Sequence, residues 1–256
     1  MCCSKMIVTV LWGRRANNKP VKEKILEAYE TLAEQYNARI DHKPHNAYYD
    51  RPNTLNLIGD VKGERILDAA CGPGKYAEIF LEQGAYVTGF DLSPKMVALA
   101  KARNGAQGEF FEHDLSQPLA MFEDAQFNCI VCALALHYIE DWNPVLNEFN
   151  RVLKKGGRLV ISVEHPFFEY TYFKSKRYFD VEEVTATWSG FGERVKVHSF
   201  RRSLQEVIQP LVTNGFLVDA LVEPKPVAEF EKLDPKHFRE LNTFPTFMMV
   251  RGIKPN

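Results

Sequence analysis

The chain has 256 residues, 45% of them hydrophobic, enough for one sizeable core or a core with an appended lid. Its 32 basic and 33 acidic residues leave a formal charge of −1, which argues against a surface built to track nucleic-acid phosphates. No apolar run approaches the roughly 18 residues of a membrane span.

Residues 1–20 read as a loosely ordered arm. The apolar run Met6–Trp12 is followed rather than preceded by arginines and has no small-residue cleavage site, so it does not read as a signal peptide. The cysteines Cys2, Cys3, Cys71, Cys129 and Cys132 are odd in number and at no disulfide-framework spacing. Both points suit a reducing, cytoplasmic setting. Cys129 and Cys132 fall in "FNCIVCALAL", a strand in which residues three apart face opposite ways, so the pair does not share a metal and no metal site is expected.

"PVKEKILEAYETLAEQYNARI" places Ile25, Leu26, Ala28, Tyr29, Leu32, Ala33 and Tyr36 at helical spacing. A polar, aromatic loop and a short helix follow. From Glu64 the chain alternates between short apolar strands and helices: "RILDAA", "AYVTGFDL", "GEFFEHDL", "FNCIVCALAL" and "RLVISVEH" as strands, with helices between most of them. Ser93 followed by Pro94 marks the start of one helix. The alternation predicts a doubly wound α/β fold with a largely parallel sheet. After His165 the text turns aromatic. "VEEVTATW" and "RVKVHSF" read as a hairpin joined through "SGFGE", and "SLQEVIQPLVTNG" as a helix broken or bent near Pro210. "FLVDALVE" and "TFMMVRGI" read as two last strands separated by a proline-rich, charged loop.

Gly72 and Gly74 lie between the first core strand and its helix. Ligands of doubly wound sheets bind there, and small residues let one approach the backbone and the free N–H groups of the helix start. Asp91 ends the next strand, at the interval typical of a ribose-binding carboxylate, and Asp114 ends the third. The glycines alone also fit a plain tight turn. Together the series reads as a nucleoside site. A carboxylate at Asp68, four residues before Gly72, would repel the pyrophosphate of NAD but attract an ammonium, which favours S-adenosylmethionine.

These segments resemble the motifs of class I S-adenosylmethionine-dependent methyltransferases, in their small-molecule branch. "ILDAACGPGKYA" is similar to the first motif, "VTGFDLSPKMVALAKAR" to the second, "FFEHDL" to the third-strand motif, and "FNCIVCALALHYIEDWNPVLNEFNRVLKKGGRLVISV" to the fourth strand through the fifth. The resemblance spans roughly residues 60–165 and implies a seven-stranded Rossmann-like sheet with an antiparallel last strand. It implies a helical lid at 21–60, a core at 61–256 and, within that core, an acceptor cover at 166–202. By position it implies that Asp68, Ala70, Gly72 and Gly74 surround the methionine moiety. Asp91 would hold the ribose, and Leu92 and Met96 would line the adenine pocket. Asp114 would bond the adenine amino group with Leu115 beside it, and Ala133 would lie under the cofactor. Tyr36, Tyr48, Tyr49 and Arg51 belong to the segment that closes over the cofactor, with Arg51 suited to its carboxylate.

His137 and His165 follow the fourth and fifth strands and are candidate general bases; each also suits a plain wall residue. The insertion's aromatics, Trp188 and Phe191 among them, suit a small apolar or aromatic acceptor, and equally a homodimer contact. Lys174, Lys176 and Arg177 form a basic cluster that suits an anionic acceptor or a solvated loop. Methyl transfer to an O, N or C nucleophile is the expected activity. A tRNA or protein methyltransferase, or a non-catalytic binder of the same cofactor, are the alternatives.

Overall fold

The computed structural model describes residues 19–256. The expected arm lies, but for its last two residues, outside the described residues, as do the Met6–Trp12 run, Cys2 and Cys3.

The first helix, α1 (Val21–Arg39), buries Ile25, Ala28, Leu32 and Ala33, the stripe its spacing predicts. A single π-turn (Asn46–Asp50) leads into α2 (Arg51–Ile58). Five strands and three α-helices follow. They comprise β1 (Arg65–Ala69), α3 (Lys75–Glu82), β2 (Tyr86–Asp91), α4 (Pro94–Asn104), β3 (Glu109–Glu112), β4 (Phe127–Ala133), α5 (Asn143–Val152) and β5 (Leu153–Glu164). Ser93 caps α4 by accepting the Met96 N–H at 3.1 Å.

Beyond β5 come α6 (Pro166–Tyr172), the hairpin β6 (Glu182–Phe191) and β7 (Glu193–Arg201), then α7 (Leu204–Thr213), β8 (Leu217–Val222), α8 (Ala228–Leu233), α9 (Pro235–Thr243) and β9 (Phe247–Ile253). The main sheet runs β3-β2-β1-β4-β5-β9-β8. Its first five strands are parallel, and β9 runs antiparallel to both β5 and β8. The strand order reverses between β1 and β4, which opens a crevice at their carboxyl ends.

Apolar residues alternate across the sheet into two cores. Leu67, Ile130, Cys132, Leu159 and Ile161 join one, and Ile66, Cys129, Val131 and Val160 the other. Cys129 and Cys132 thus sit on opposite faces, as the strand period requires.

Three details differ from the sequence reading. The hairpin strands run through most of "SGFGE", because Gly192 takes a φ of 98° and lets the chain reverse more tightly. Pro210 sits inside α7 without ending it. The charged stretch between the last strands folds into α8 and α9. Asp234 caps α9 by accepting the His237 N–H at 3.1 Å, ahead of Pro235 at the first helical position.

Candidate active site

A cavity of about 1000 Å³ opens where β1, β2 and β4 end. The chain leaves β1 through Ala70, whose φ is 59°, and turns through Gly72 and Gly74 at φ 53° and 76°. The two glycines do different work. A Cβ on Gly72 would meet no atom within 4 Å, and this residue lines the cavity. A Cβ on Gly74 would stand 2.5 Å from Asn104 Nδ2 and 3.0 Å from Ala100 Cβ, so Gly74 seats α3 against α4 and does not face the cavity. Leu134, past the end of β4, holds a second positive φ of 51° at the cavity wall. Strained backbone of this kind at two adjacent strand ends marks a functional crevice.

Asp91 organises the loop. Its Oδ2 accepts the Gly72 N–H and its Oδ1 the Ser93 N–H, each at 2.9 Å. Asp68 is buried, and its Oδ2 has no hydrogen-bond partner among the described residues. Burial, with the nearby Asp91 charge, pushes the Asp68 carboxyl up to about 7. Arg51 is buried too. Its Nη2 donates to the Ile40 carbonyl at 2.9 Å, and its Nε has no partner among the described residues. Leu92, Met96, Asp114, Leu115 and Ala133 also line the cavity. Tyr49 does not: its ring stacks on Phe247 and its hydroxyl accepts the Thr246 N–H at 3.1 Å, so it pins the π-turn to the approach to β9.

The roof comes from α1 and the hairpin. Glu30 accepts hydrogen bonds from Ser93 Oγ at 2.5 Å and from the Lys95 N–H at 3.1 Å, docking α1 on the start of α4. Tyr29 packs edge-on to Trp188, and Tyr36 stacks on Phe191. The Tyr29 hydroxyl meets that of Tyr138 at 2.7 Å, tying roof to floor. Of the insertion's aromatics, Trp188, Phe191 and Phe200 line the cavity, and the basic cluster Lys174, Lys176 and Arg177 does not. Tyr29 appears in the sequence only as part of an apolar helical stripe, which hides its second role, whereas Tyr36 also belongs to the segment expected to close over the cofactor. Glu164 also lines the cavity. It is the last residue of β5, directly before His165.

The two histidines part company. His137 lines the cavity, is 6% exposed, and keeps an Nδ1 without a partner among the described residues. Burial, reinforced by the Arg202 charge, pushes it down to about 3, so the ring is neutral at physiological pH and weakly basic. His165 is not brought to the cavity. Its Nδ1 accepts the Phe167 N–H at 3.2 Å, capping α6, and its Nε2 lies 3.0 Å from Glu223. Both ring nitrogens are thus engaged in structure.

Comparison with known proteins agrees with this geometry. Residues 67–161 match a methyltransferase domain model. A Geobacillus protein classed as a methyltransferase is 30% identical over 174 residues, covering 63% of this chain and 68% of the relative. The Lactococcus lactis demethylmenaquinone methyltransferase is 31% identical, covering 59% of this chain and 63% of the relative. A Listeria monocytogenes protein classed with the S-adenosylmethionine-dependent methyltransferases superposes with a TM-score of 0.70 at 25% identity, covering 81% of this chain and 97% of that one. An uncharacterized Haemophilus influenzae protein is 32% identical, and there the match spans 57% of the relative's length. The chain belongs to the class I S-adenosylmethionine-dependent methyltransferase family. No helix among the described residues is long and apolar enough to cross a membrane.

Proposed function

We propose that the protein moves a methyl group from S-adenosylmethionine to a small-molecule acceptor with a flat apolar body. One observation carries this reading: a single roofed cavity joins the Gly72–Asp91 end to a compartment walled by Tyr29, Tyr36, Trp188 and Phe191. Donor and acceptor held together in such a space gain from orientation and from the exclusion of water.

The residues present suit the cofactor. The partnerless Asp68 oxygen suits an ammonium, the free Arg51 Nε a carboxylate, and the open face of Gly72 a close approach to the backbone. Asp91 keeps lone pairs for ribose hydroxyls beyond those it lends to the loop, and Asp114 is assigned to adenine. The bound cofactor supplies an electrophilic methyl on a cationic sulfur. The chain's own part is to hold the two reactants in line under a roof of aromatic rings. His137, neutral and facing the same space, offers a hydrogen bond that orients the acceptor. The closed roof suits a small molecule better than a tRNA or a protein.

Calorimetry tests the cofactor and a screen tests the acceptor. S-adenosylhomocysteine is expected to bind and NADH not to; preference for NADH would end this reading. Incubation with methyl-labelled S-adenosylmethionine and a compound library is expected to label ring-bearing small molecules. Label passing to tRNA or protein alone would favour the other branch.

A further inference from the structure

At the proposed acceptor compartment stands a carboxylate with no ion-pair partner among the described residues. Glu164, at the carboxyl end of β5, lines the cavity and forms no ion pair among the described residues. Behind it stands Glu169, on α6, which is 2% exposed and has an Oε1 with no partner among the described residues. The two carboxyls lie close enough to act on one another. Two like charges placed close together disfavour each other's ionised form. Burial raises both groups, and Glu169 the more, because it also feels the Glu164 charge. Glu169 is thus the poorer anion of the two, and Glu164 is the carboxyl that faces the cavity.

The nearby arginines are engaged elsewhere. Arg201 is committed to Glu182 and to the carbonyls of Arg177, Tyr178 and Asp180. Arg202 acts on Glu169 from behind, donating to the Ile139 carbonyl at 2.6 Å and lying over the Trp142 ring. On the cavity side stand aromatic rings and an ammonium, that of Lys43, which lies 3.6 Å from the centre of the Phe191 ring and which burial pushes down to about 8. Tyr138 feels the Glu164 charge and is tied to Tyr29, and His137 offers its partnerless, buried Nδ1. A carboxylate beside aromatic faces recognises an ammonium, by charge and by the ring quadrupoles together.

We propose that the methyl acceptor is an amine: a primary or secondary amine on a flat apolar body, which enters as its ammonium and is held by Glu164. The inference rests on the methyltransferase reading above and narrows its acceptor class. Glu164 takes one proton from the ammonium and passes it to solvent. The nitrogen pair so freed makes the new N–C bond as the S–C pair returns to sulfur. The products are an N-methylammonium and a neutral thioether, and one proton is released for each methyl moved.

The test is binding in the presence of saturating S-adenosylhomocysteine, so it does not depend on turnover. Each amine in the probe set is matched by its alcohol and its carboxylate: tryptamine with indole-3-ethanol and indole-3-acetate, phenethylamine with 2-phenylethanol and phenylacetate, and cyclohexylamine with cyclohexanol and cyclohexanecarboxylate. At least one amine is expected to bind tenfold or more tighter than both its partners. Glu164→Gln is expected to abolish that preference while S-adenosylhomocysteine affinity stays within twofold. If Glu164→Gln fails to fold, Glu164→Leu, apolar and of similar size, serves, and the amine preference is again expected to vanish. The proposal is overturned if no amine outbinds its alcohol, or if the preference survives the substitution. Failure of S-adenosylhomocysteine to bind the wild-type protein would instead overturn the methyltransferase reading beneath it.

Discussion

Lys22, in the first turn of α1, sets its ammonium 2.5 Å from Oδ2 of Asp114, the carboxylate assigned to adenine. Burial acts to raise the Asp114 carboxyl, yet the Lys22 ammonium and the Ser116 donors outweigh it and hold the group below its ordinary value. The roof is thus latched to the cofactor end as well as to the start of α4. Half-exposed pairs of this kind contribute about 0–1 kcal/mol and are screened by salt. Lys22→Met is expected to speed hydrogen exchange of the α1 amides by up to about fivefold. In salt of about 0.5 M the wild-type protein should approach the variant. Equal exchange at low salt would show that the latch contributes nothing.

The two loop glycines make opposite predictions. Gly72→Ala adds a methyl to open space at a φ that costs about 1–2 kcal/mol for an L-residue, so the fold tolerates it while the cavity loses room. Its melting temperature should fall modestly and its affinity for S-adenosylhomocysteine by about tenfold or more, on the order of 1.4 kcal/mol. Gly74→Ala adds the same strain and drives the methyl into Asn104 and Ala100, and overpacking of that kind costs a further 1–3 kcal/mol or so. It should fail mainly in thermal stability. Thermal melts and calorimetry on the pair decide the matter; a reversed pattern would mean that Gly74, not Gly72, faces the ligand.

Asp91 carries both a loop and a proposed ligand. Asp91→Ala removes the acceptor of the Gly72 and Ser93 N–H groups as well as the proposed ribose contact. Loss of affinity by roughly 1–3 kcal/mol is expected, together with a lower melting temperature. Asp91→Asn keeps one acceptor and should recover part of the stability. Cofactor affinity unchanged in both variants would remove the ribose assignment.

The core strands and their helices were legible because apolar runs, glycines and Ser93-Pro94 all point the same way, and a parallel sheet leaves few alternatives. So was the cavity floor, since Asp68, Gly72, Asp91 and Asp114 sit at strand ends whose order topology dictates. The roof was legible only as a helix and a hairpin. Tyr29 meeting Tyr138, and Tyr36 stacking on Phe191, are contacts between residues far apart in sequence, and no local pattern encodes them. His165 misled for a related reason: a histidine after a strand suits a base, but the Pro166 that follows starts a helix that needs a cap. Glu164 and Glu169 are unremarkable as letters, and only their placement at the end of β5 and on the buried face of α6 gives them chemistry.

Asp68 makes the sharpest claim about pH. In the free protein its carboxyl is pushed up to about 7, by burial first and by Asp91 second. A folded-state value above the unfolded one means that the native protein keeps a proton the unfolded chain has already lost. The associated stability is complete below the unfolded carboxyl range and is lost as pH rises through about 7. An ammonium placed on Asp68 requires the ionised form, so ligand binding below that pH must expel the proton. Titration with S-adenosylhomocysteine in two buffers of different ionisation enthalpy should therefore show proton release near about pH 6 and almost none near about pH 8. Apparent affinity should rise over the same interval. Asp91 is also raised, chiefly by burial, and adds to the release to the extent that binding ionises it. Asp68→Asn separates the two: most of the release near pH 6 should vanish, and the variant should gain stability over wild type as pH rises. Release unaltered by Asp68→Asn would mean that the proton comes from elsewhere and that Asp68 does not meet the ligand's ammonium.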